Sequence, residues 1–121
     1  MYEYLAISAR VVDGDTVNVV LDLGFHTHRL ERLRLKGIDA PELHAADPAE
    51  RSKARQAKAE LETLLGKGTL TVKTHQDKRD KYGRYLADLF VPREDGTQLH
   101  INSELLERGL VRTMQEPPCT I

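Results

Sequence analysis

Residues 11–23 read Val11-Val12-Asp13-Gly14-Asp15-Thr16-Val17-Asn18-Val19-Val20-Leu21-Asp22-Leu23. Val17, Val19, Leu21 and Leu23 recur at every second position, while Asn18 and Asp22 fall between them. That is the alternation of a strand with one face in a core and the other in water. Asp13-Gly14-Asp15 interrupts it, and Asp-Gly is a favoured turn pair. The stretch therefore predicts two strands joined by a tight turn, with Leu5 onward supplying the first. Gly24 ends the second. Another alternating run follows, with Leu33 and Leu35 on one face and Arg32, Arg34 and Lys36 on the other. Gly37 is placed to kink it, and Asp39-Ala40-Pro41 to end it.

One helix is clearly signalled. Asp47-Pro48-Ala49-Glu50 sets a capping side chain before a proline at the first helical position, with Glu three residues after the cap. Ala54, Ala57, Leu61, Leu64 and Leu65 then recur at helical spacing, and Gly66 stops the helix. Thr69–His75 and Tyr85–Val91 read as strands around a polar loop, 76–84, and Pro92–Gly96 as a turn. Asn102 is expected to cap a short helix holding Leu105 and Leu106 and closed by Gly109. Three strands, a helix, two strands and a helix suit a β-barrel with packed helices (an α+β chain). The expected form is an OB-fold, a five-stranded antiparallel barrel with two or three α-helices, a class that often binds nucleic acids.

The chain has 121 residues, a single-domain length. Residues 1–114 are expected to form that domain, and 115–121, with two prolines and no periodicity, a flexible tail. One cysteine, Cys119, excludes an internal disulfide. Trp is absent, so Leu, Val, Ile and Ala must build the core. No signal peptide and no membrane span are expected in this chain. It reads as soluble, monomeric and cytoplasmic, with no membrane partner, and secretion of a processed precursor is left open. The net charge of −1 is not that of a protein coating nucleic acid indiscriminately. Basic clusters at Arg29, Arg32, Arg34 and Lys36, and at Lys78, Arg79, Lys81 and Arg84, are interleaved with acids. His26 and His28 share a strand face, but no cysteine or third histidine stands at a structural zinc spacing.

Asp15, Asp39 and Glu42 each adjoin a turn. Arg34 stands five residues before Asp39, and Arg84 closes 80–84. These residue types suit phosphodiester hydrolysis. Carboxylate oxygens hold Ca²⁺ or Mg²⁺, arginine forks match phosphate oxygens, and a glutamate orients or deprotonates water. At these segments the chain resembles the staphylococcal nuclease (thermonuclease) family, through VVDGDTV at 11–17, RLKGIDAPE at 34–42, DKYGR at 80–84 and INSELLERGL at 101–110.

The resemblance implies an OB-fold barrel that cleaves DNA and RNA with Ca²⁺ and leaves 3′-phosphates, single-stranded or flexible substrates being preferred. It implies that Asp15 and Asp39 bind Ca²⁺ by carboxylate and Ala40 by its carbonyl. It implies that Arg34 and Arg84 clasp the scissile phosphate, that Glu42 is the base or positions water, and that Lys81 and Tyr82 contact a neighbouring phosphate. Arg84 is assigned to electrostatics, because a guanidinium with a pKa above about 12 is a poor acid at neutral pH. A Thr is usual where Ala40 stands, the loop 43–46 is short and lacks lysines, and the tail lacks the tyrosines and final helix of the best-known member. The alternative is a non-catalytic OB-type module binding nucleic acid or protein; such a domain is expected to lack Arg34, Glu42 or Arg84. Arg29 and Arg32 are read as a solvated face. Asp15 and Asp39 are expected to repel one another until metal arrives, so that Asp15→Asn raises or preserves metal-free stability.

Overall fold

A computed structural model describes residues 2–79 and 85–113, with the side chains of 76–79 excepted. Strands β1 (Tyr2–Asp13), β2 (Thr16–Asp22) and β3 (His28–Leu35) form an antiparallel meander, and β4 (Ile38–Asp39) follows at once. Helix α1 (Pro48–Leu65) leads to β5 (Leu70–Arg79), β6 (Tyr85–Pro92), β7 (Gln98–His100), α2 (Ile101–Glu107) and β8 (Arg112–Thr113).

The main sheet runs β3-β2-β1-β5-β6-β7, and β3 also pairs with β6, which closes five strands into a barrel. The first four contacts around that ring are antiparallel. Four reversals return the chain to its starting direction, so β3 and β6 must run parallel, as they do, with Leu33 opposite Tyr85 and Arg34 opposite Leu86. A ring with an odd number of strands always holds such a pair; the expected antiparallel barrel is mixed at this one seam.

Alternation fills the interior. Val17, Val19, Leu21, Leu33, Leu35, Val72, Ala87 and Leu89 point inward and are buried. Helix α1 starts where the sequence indicates: Asp47 accepts a hydrogen bond from the Ala49 N–H at 3.1 Å, and Gly66, at φ 61°, caps the end. Ala54, Ala57, Leu61 and Leu65 form its buried stripe; Leu64 is half-buried at the edge. Among the described residues no helix is long and apolar enough to cross a membrane.

Helix α2 departs from the expectation. It begins after His100, so Asn102 lies inside it rather than capping it. Asn102 is buried and bridges two strands instead. Its Nδ2 donates to the carbonyls of Lys36 (3.0 Å) and Ala87 (3.1 Å), and its Oδ1 accepts from the Leu89 N–H (3.2 Å). Buried backbone groups need partners, and this one amide satisfies three where β3 ends against β6. It fixes the turn at Lys36-Gly37 from which β4 departs.

Candidate active site

The β1–β2 turn and the segment after β3 meet at one end of the barrel. Gly14 sits at the junction. A Cβ added there would stand 2.8 Å from the Ala40 Cβ and 2.9 Å from the Ala57 Cβ. The turn therefore approaches both the 38–40 segment and α1 at a distance only glycine permits. The approach brings Asp15 onto Ala40, whose N–H donates to Asp15 Oδ2 at 2.9 Å.

Arg34 joins these pieces. Its Nη1 contacts Asp15 Oδ2 at 2.8 Å, and its Nη2 donates to Asp39 Oδ1 at 3.2 Å and to the Ile38 carbonyl at 3.1 Å. The Arg34 and Asp15 side chains are 9% and 7% exposed, whereas Asp39 is 46% exposed. One guanidinium thus lies between a buried and an open carboxylate. Burial works against the Arg34 charge, but Asp15 and then Asp39 outweigh it and raise its affinity for the proton. Burial likewise opposes the Asp15 anion. Hydrogen bonds from Asp13 and the Ala40 N–H, with the Arg34 charge, overcome that and hold its carboxyl below the ordinary value. Thr16 also donates its hydroxyl to Asp15 Oδ1 at 3.0 Å.

The expected repulsion between Asp15 and Asp39 is therefore screened by Arg34. The strain lies at Asp13 instead, which the motif reading had as a turn residue. Its Oδ1 accepts from the Asp15 N–H at 3.1 Å. Half-burial, then its contact with the Asp15 carboxylate, push its carboxyl up to about 6. The Asp-Gly-Asp string carried the signal: two carboxylates flanking a two-residue turn are necessarily neighbours.

Of the sequence candidates, Asp15, Arg34, Asp39 and Ala40 come together. Glu42 follows Pro41 in an exposed turn closed by the Ala45 N–H on the Glu42 carbonyl at 3.3 Å. Among the described residues nothing pairs with its side chain. Lys81, Tyr82 and Arg84 lie outside the described residues. A contributor no motif announced is Arg112 on β8. It stands opposite Asp39 in the β4–β8 pair and brings its Nη2 within 3.7 Å of Asp39 Oδ2.

The donors fit a hard divalent cation in kind: two carboxylates and a backbone carbonyl are oxygen ligands of the sort Ca²⁺ takes. Among the described residues Asp39 Oδ2 meets the exposed Arg112 alone. Among the described residues no three His, Cys, Asp or Glu side chains converge to hold a metal.

A closed five-stranded barrel with two packed helices, carrying a buried arginine seated between two aspartates, defines an OB-type protein. Residues 32–120 match the family described as Staphylococcal nuclease homologue, and the chain belongs to that family. It is 32% identical to "Endonuclease YhcR" of Bacillus subtilis (strain 168) over 92% of this chain and 9% of that protein. It is 30% identical to "Endonuclease YncB" of the same organism, over 85% of this chain and 44% of the other. It is 29% identical to "Thermonuclease" of Staphylococcus intermedius, over 90% and 59%. The chain thus spans less than two thirds of the length of each of these relatives.

Proposed function

We propose that this chain is a Ca²⁺-dependent endonuclease that hydrolyses phosphodiester bonds in DNA and RNA and leaves 3′-phosphate ends. The observation that carries the reading is the Asp15–Arg34–Asp39 array. An arginine ordered on one side by a buried carboxylate and on the other by an exposed one is preorganised for a phosphate and costs little to reorient at the moment of reaction. Family membership and relatives named as endonucleases support the same reading.

Charge explains why a cation is needed. Asp15 and Asp39 set two negative charges against Arg34 and the more exposed Arg112, 3.7 Å from Asp39, and Asp13 adds part of another negative charge above pH 6. A phosphodiester brings a further negative charge. Ca²⁺ held by the Asp15 and Asp39 carboxylates and the Ala40 carbonyl would neutralise that excess and polarise a phosphate oxygen. In the reaction Arg34 binds and orients the phosphate, with its donors steadied by Asp15 and the Ile38 carbonyl. Arg84 supplies a second guanidinium, Lys81 and Tyr82 hold a neighbouring phosphate, and the Glu42 carboxylate, unpaired among the described residues, takes the proton of the water that displaces the 5′-oxygen from phosphorus.

The test is cleavage of single-stranded DNA and of RNA with Ca²⁺ and with excess EGTA. Cleavage with Ca²⁺ and 3′-phosphate products, both lost in EGTA, are expected. Full activity in EGTA overturns the metal assignment. Tight binding without cleavage under any metal would make the chain a binding module instead.

A further inference from the structure

The outer face of the β1–β2–β3 meander continues beyond Arg34. Along β3, Leu33 and Leu35 point into the core, so Arg34, Arg32 and Leu30 share the opposite face. The register sets three parallel rows across the strands. Thr16 lies opposite Arg34 in the first; Arg10, Asn18 and Arg32 form the second; Ser8, Val20 and Leu30 form the third. Arg10 and Arg32 are exposed, and Leu30 is 70% exposed.

Arg32 differs from its neighbours in its partner. Arg29 is paired with Glu31 at 3.0 Å, Arg34 with Asp15 and Asp39, and Arg108 with Glu104 and Glu60. The Nε of Arg32 donates to Asn18 Oδ1 at 3.0 Å. Asn18 is neutral, and among the described residues it is the one side chain bonded to Arg32. The amide fixes the guanidinium without cancelling its charge, and leaves both Nη groups for a ligand. An ordered, unneutralised arginine matches a phosphate in geometry and sign. Residues two apart on a strand are about 6.6 Å apart, comparable to the step between phosphates in an extended single strand. The nearest acid further along this face is Asp22, opposite His28.

We infer that this face is a track for single-stranded nucleic acid leading away from the reactive centre. Arg32 holds the phosphate adjoining the one at Arg34, Asn18 is its positioning residue, Arg10 flanks the same row, and the Val20–Leu30 row receives a base. The row is aliphatic rather than aromatic, so it offers contact without base preference. The assignment of the scissile phosphate to Arg34 rests on the function proposed above; the track itself is a binding surface and is testable without cleavage.

The experiment measures the whole chain and the variants Arg32→Ala, Arg32→Lys, Asn18→Ala and Arg93→Ala. Arg93→Ala, on the exposed β6–β7 turn, removes the same charge elsewhere. Binding of a labelled twelve-nucleotide oligothymidylate is read in EGTA across a salt series, and cleavage of that oligomer and of a dinucleotide is read with Ca²⁺. Arg32→Ala should weaken oligomer binding about tenfold and lower the slope of log affinity against log salt by about 0.7. It should raise the oligomer's KM with little change in kcat, and affect the dinucleotide much less. Arg32→Lys should keep the salt slope, Asn18→Ala should fall between, and Arg93→Ala should match wild type. Wild-type affinity and slope in Arg32→Ala, beside normal wild-type cleavage, overturn the track and leave the nuclease reading standing. Arg32-dependent binding by a wild type that cleaves nothing supports the track and overturns the nuclease reading. Equal losses on dinucleotide and oligomer would mean that Arg32 acts through Arg34, and that too overturns the track.

Discussion

Asp15→Asn separates the two views of the acidic site. If Asp15 and Asp39 simply repelled each other, removing one charge would stabilise the metal-free protein. The structure requires the opposite. Asp15 and Arg34 are 7% and 9% exposed and 2.8 Å apart, and a buried ion pair that loses one partner leaves the other charge uncompensated. Such losses cost about 3–5 kcal/mol. Here Asn keeps an oxygen for the Ala40 N–H, and Arg34 keeps Asp39 and the Ile38 carbonyl. A loss at or just below the bottom of that range, about 2–3 kcal/mol, is therefore expected, which in a domain of this size lowers Tm by roughly 8–12 °C.

The pH dependence follows from the lowered Asp15 value. A carboxyl whose folded pKa lies below its unfolded 3.8 contributes stability above pH 4 and loses it as pH falls through the folded value. The gap between wild type and Asp15→Asn should therefore be widest near pH 5, collapse below about pH 4, and shrink modestly as pH rises through 6, where only the wild type ionises Asp13 against the Asp15 carboxylate. Urea unfolding in EGTA, followed by circular dichroism at pH 7, 5 and 3.5, measures it. A variant as stable as wild type at pH 7, or more so, would refute the ion-pair account and restore simple repulsion.

Arg34→Lys keeps a charge but not a fork, so kcat for oligonucleotide cleavage should fall by about 10²–10³; a near-normal kcat would remove Arg34 from the chemistry. Asp13 has its carboxyl raised to about 6, so the favourable neutral form is fully present below pH 4 and is lost as pH rises through 6. Asp13→Asn should accordingly flatten the decline in stability between pH 4 and pH 7 in metal-free buffer, and an unaltered decline would place its cause elsewhere. Gly14→Ala drives a methyl to 2.8 Å from Ala40 and 2.9 Å from Ala57; it should depress both Tm and cleavage, and a second change, Ala57→Gly, should restore part of each. Failure of the rescue would locate the damage in the turn itself. Ca²⁺ should raise the wild-type Tm, since a ligand of the folded state alone stabilises it, and an equal rise in Asp39→Asn would move the metal away from this site.

The parts of this fold that announced themselves did so by local chemistry. Asp47 acts through its side chain on the Ala49 N–H, and Pro48 and Gly66 through their own backbone, so α1 begins and ends as they dictate. The β1–β2 turn is likewise a property of Asp13-Gly14-Asp15. The parts that were not legible depend on partners distant in the chain. β4 and β8 are two residues each, too short for any periodicity, and exist because Asp39 meets Arg112. Asn102 has the local look of a helix cap, yet Lys36 and Ala87 claim its amide because their buried carbonyls have greater need of it. The Asp15–Arg34 pair escaped for the same reason. The strings placed both residues at the site, but only the β2–β3 register, with Thr16 opposite Arg34, shows that the arginine screens the aspartate rather than standing apart.

Arg32 and Arg34 carry that argument furthest, because their side chains are identical and they lie two residues apart on one strand face. Local sequence can hardly distinguish them, and a solvated role for Arg32 was the natural expectation. What separates them is the residue across the ladder and beyond it. Arg34 meets Thr16 and, past it, Asp15, so its charge is buried and balanced, and a phosphate gains it fully only when the acids are occupied otherwise. Arg32 meets Asn18, 14 residues away in the chain, through one 3.0 Å contact, and keeps its charge for whatever passes over the sheet. A site of the first kind makes binding conditional on a cation and suits chemistry. A site of the second kind binds without condition and suits holding. Placing the two side by side lets a strand be held before the reactive phosphate is engaged, and the metal-free binding assay sees the first event without the second.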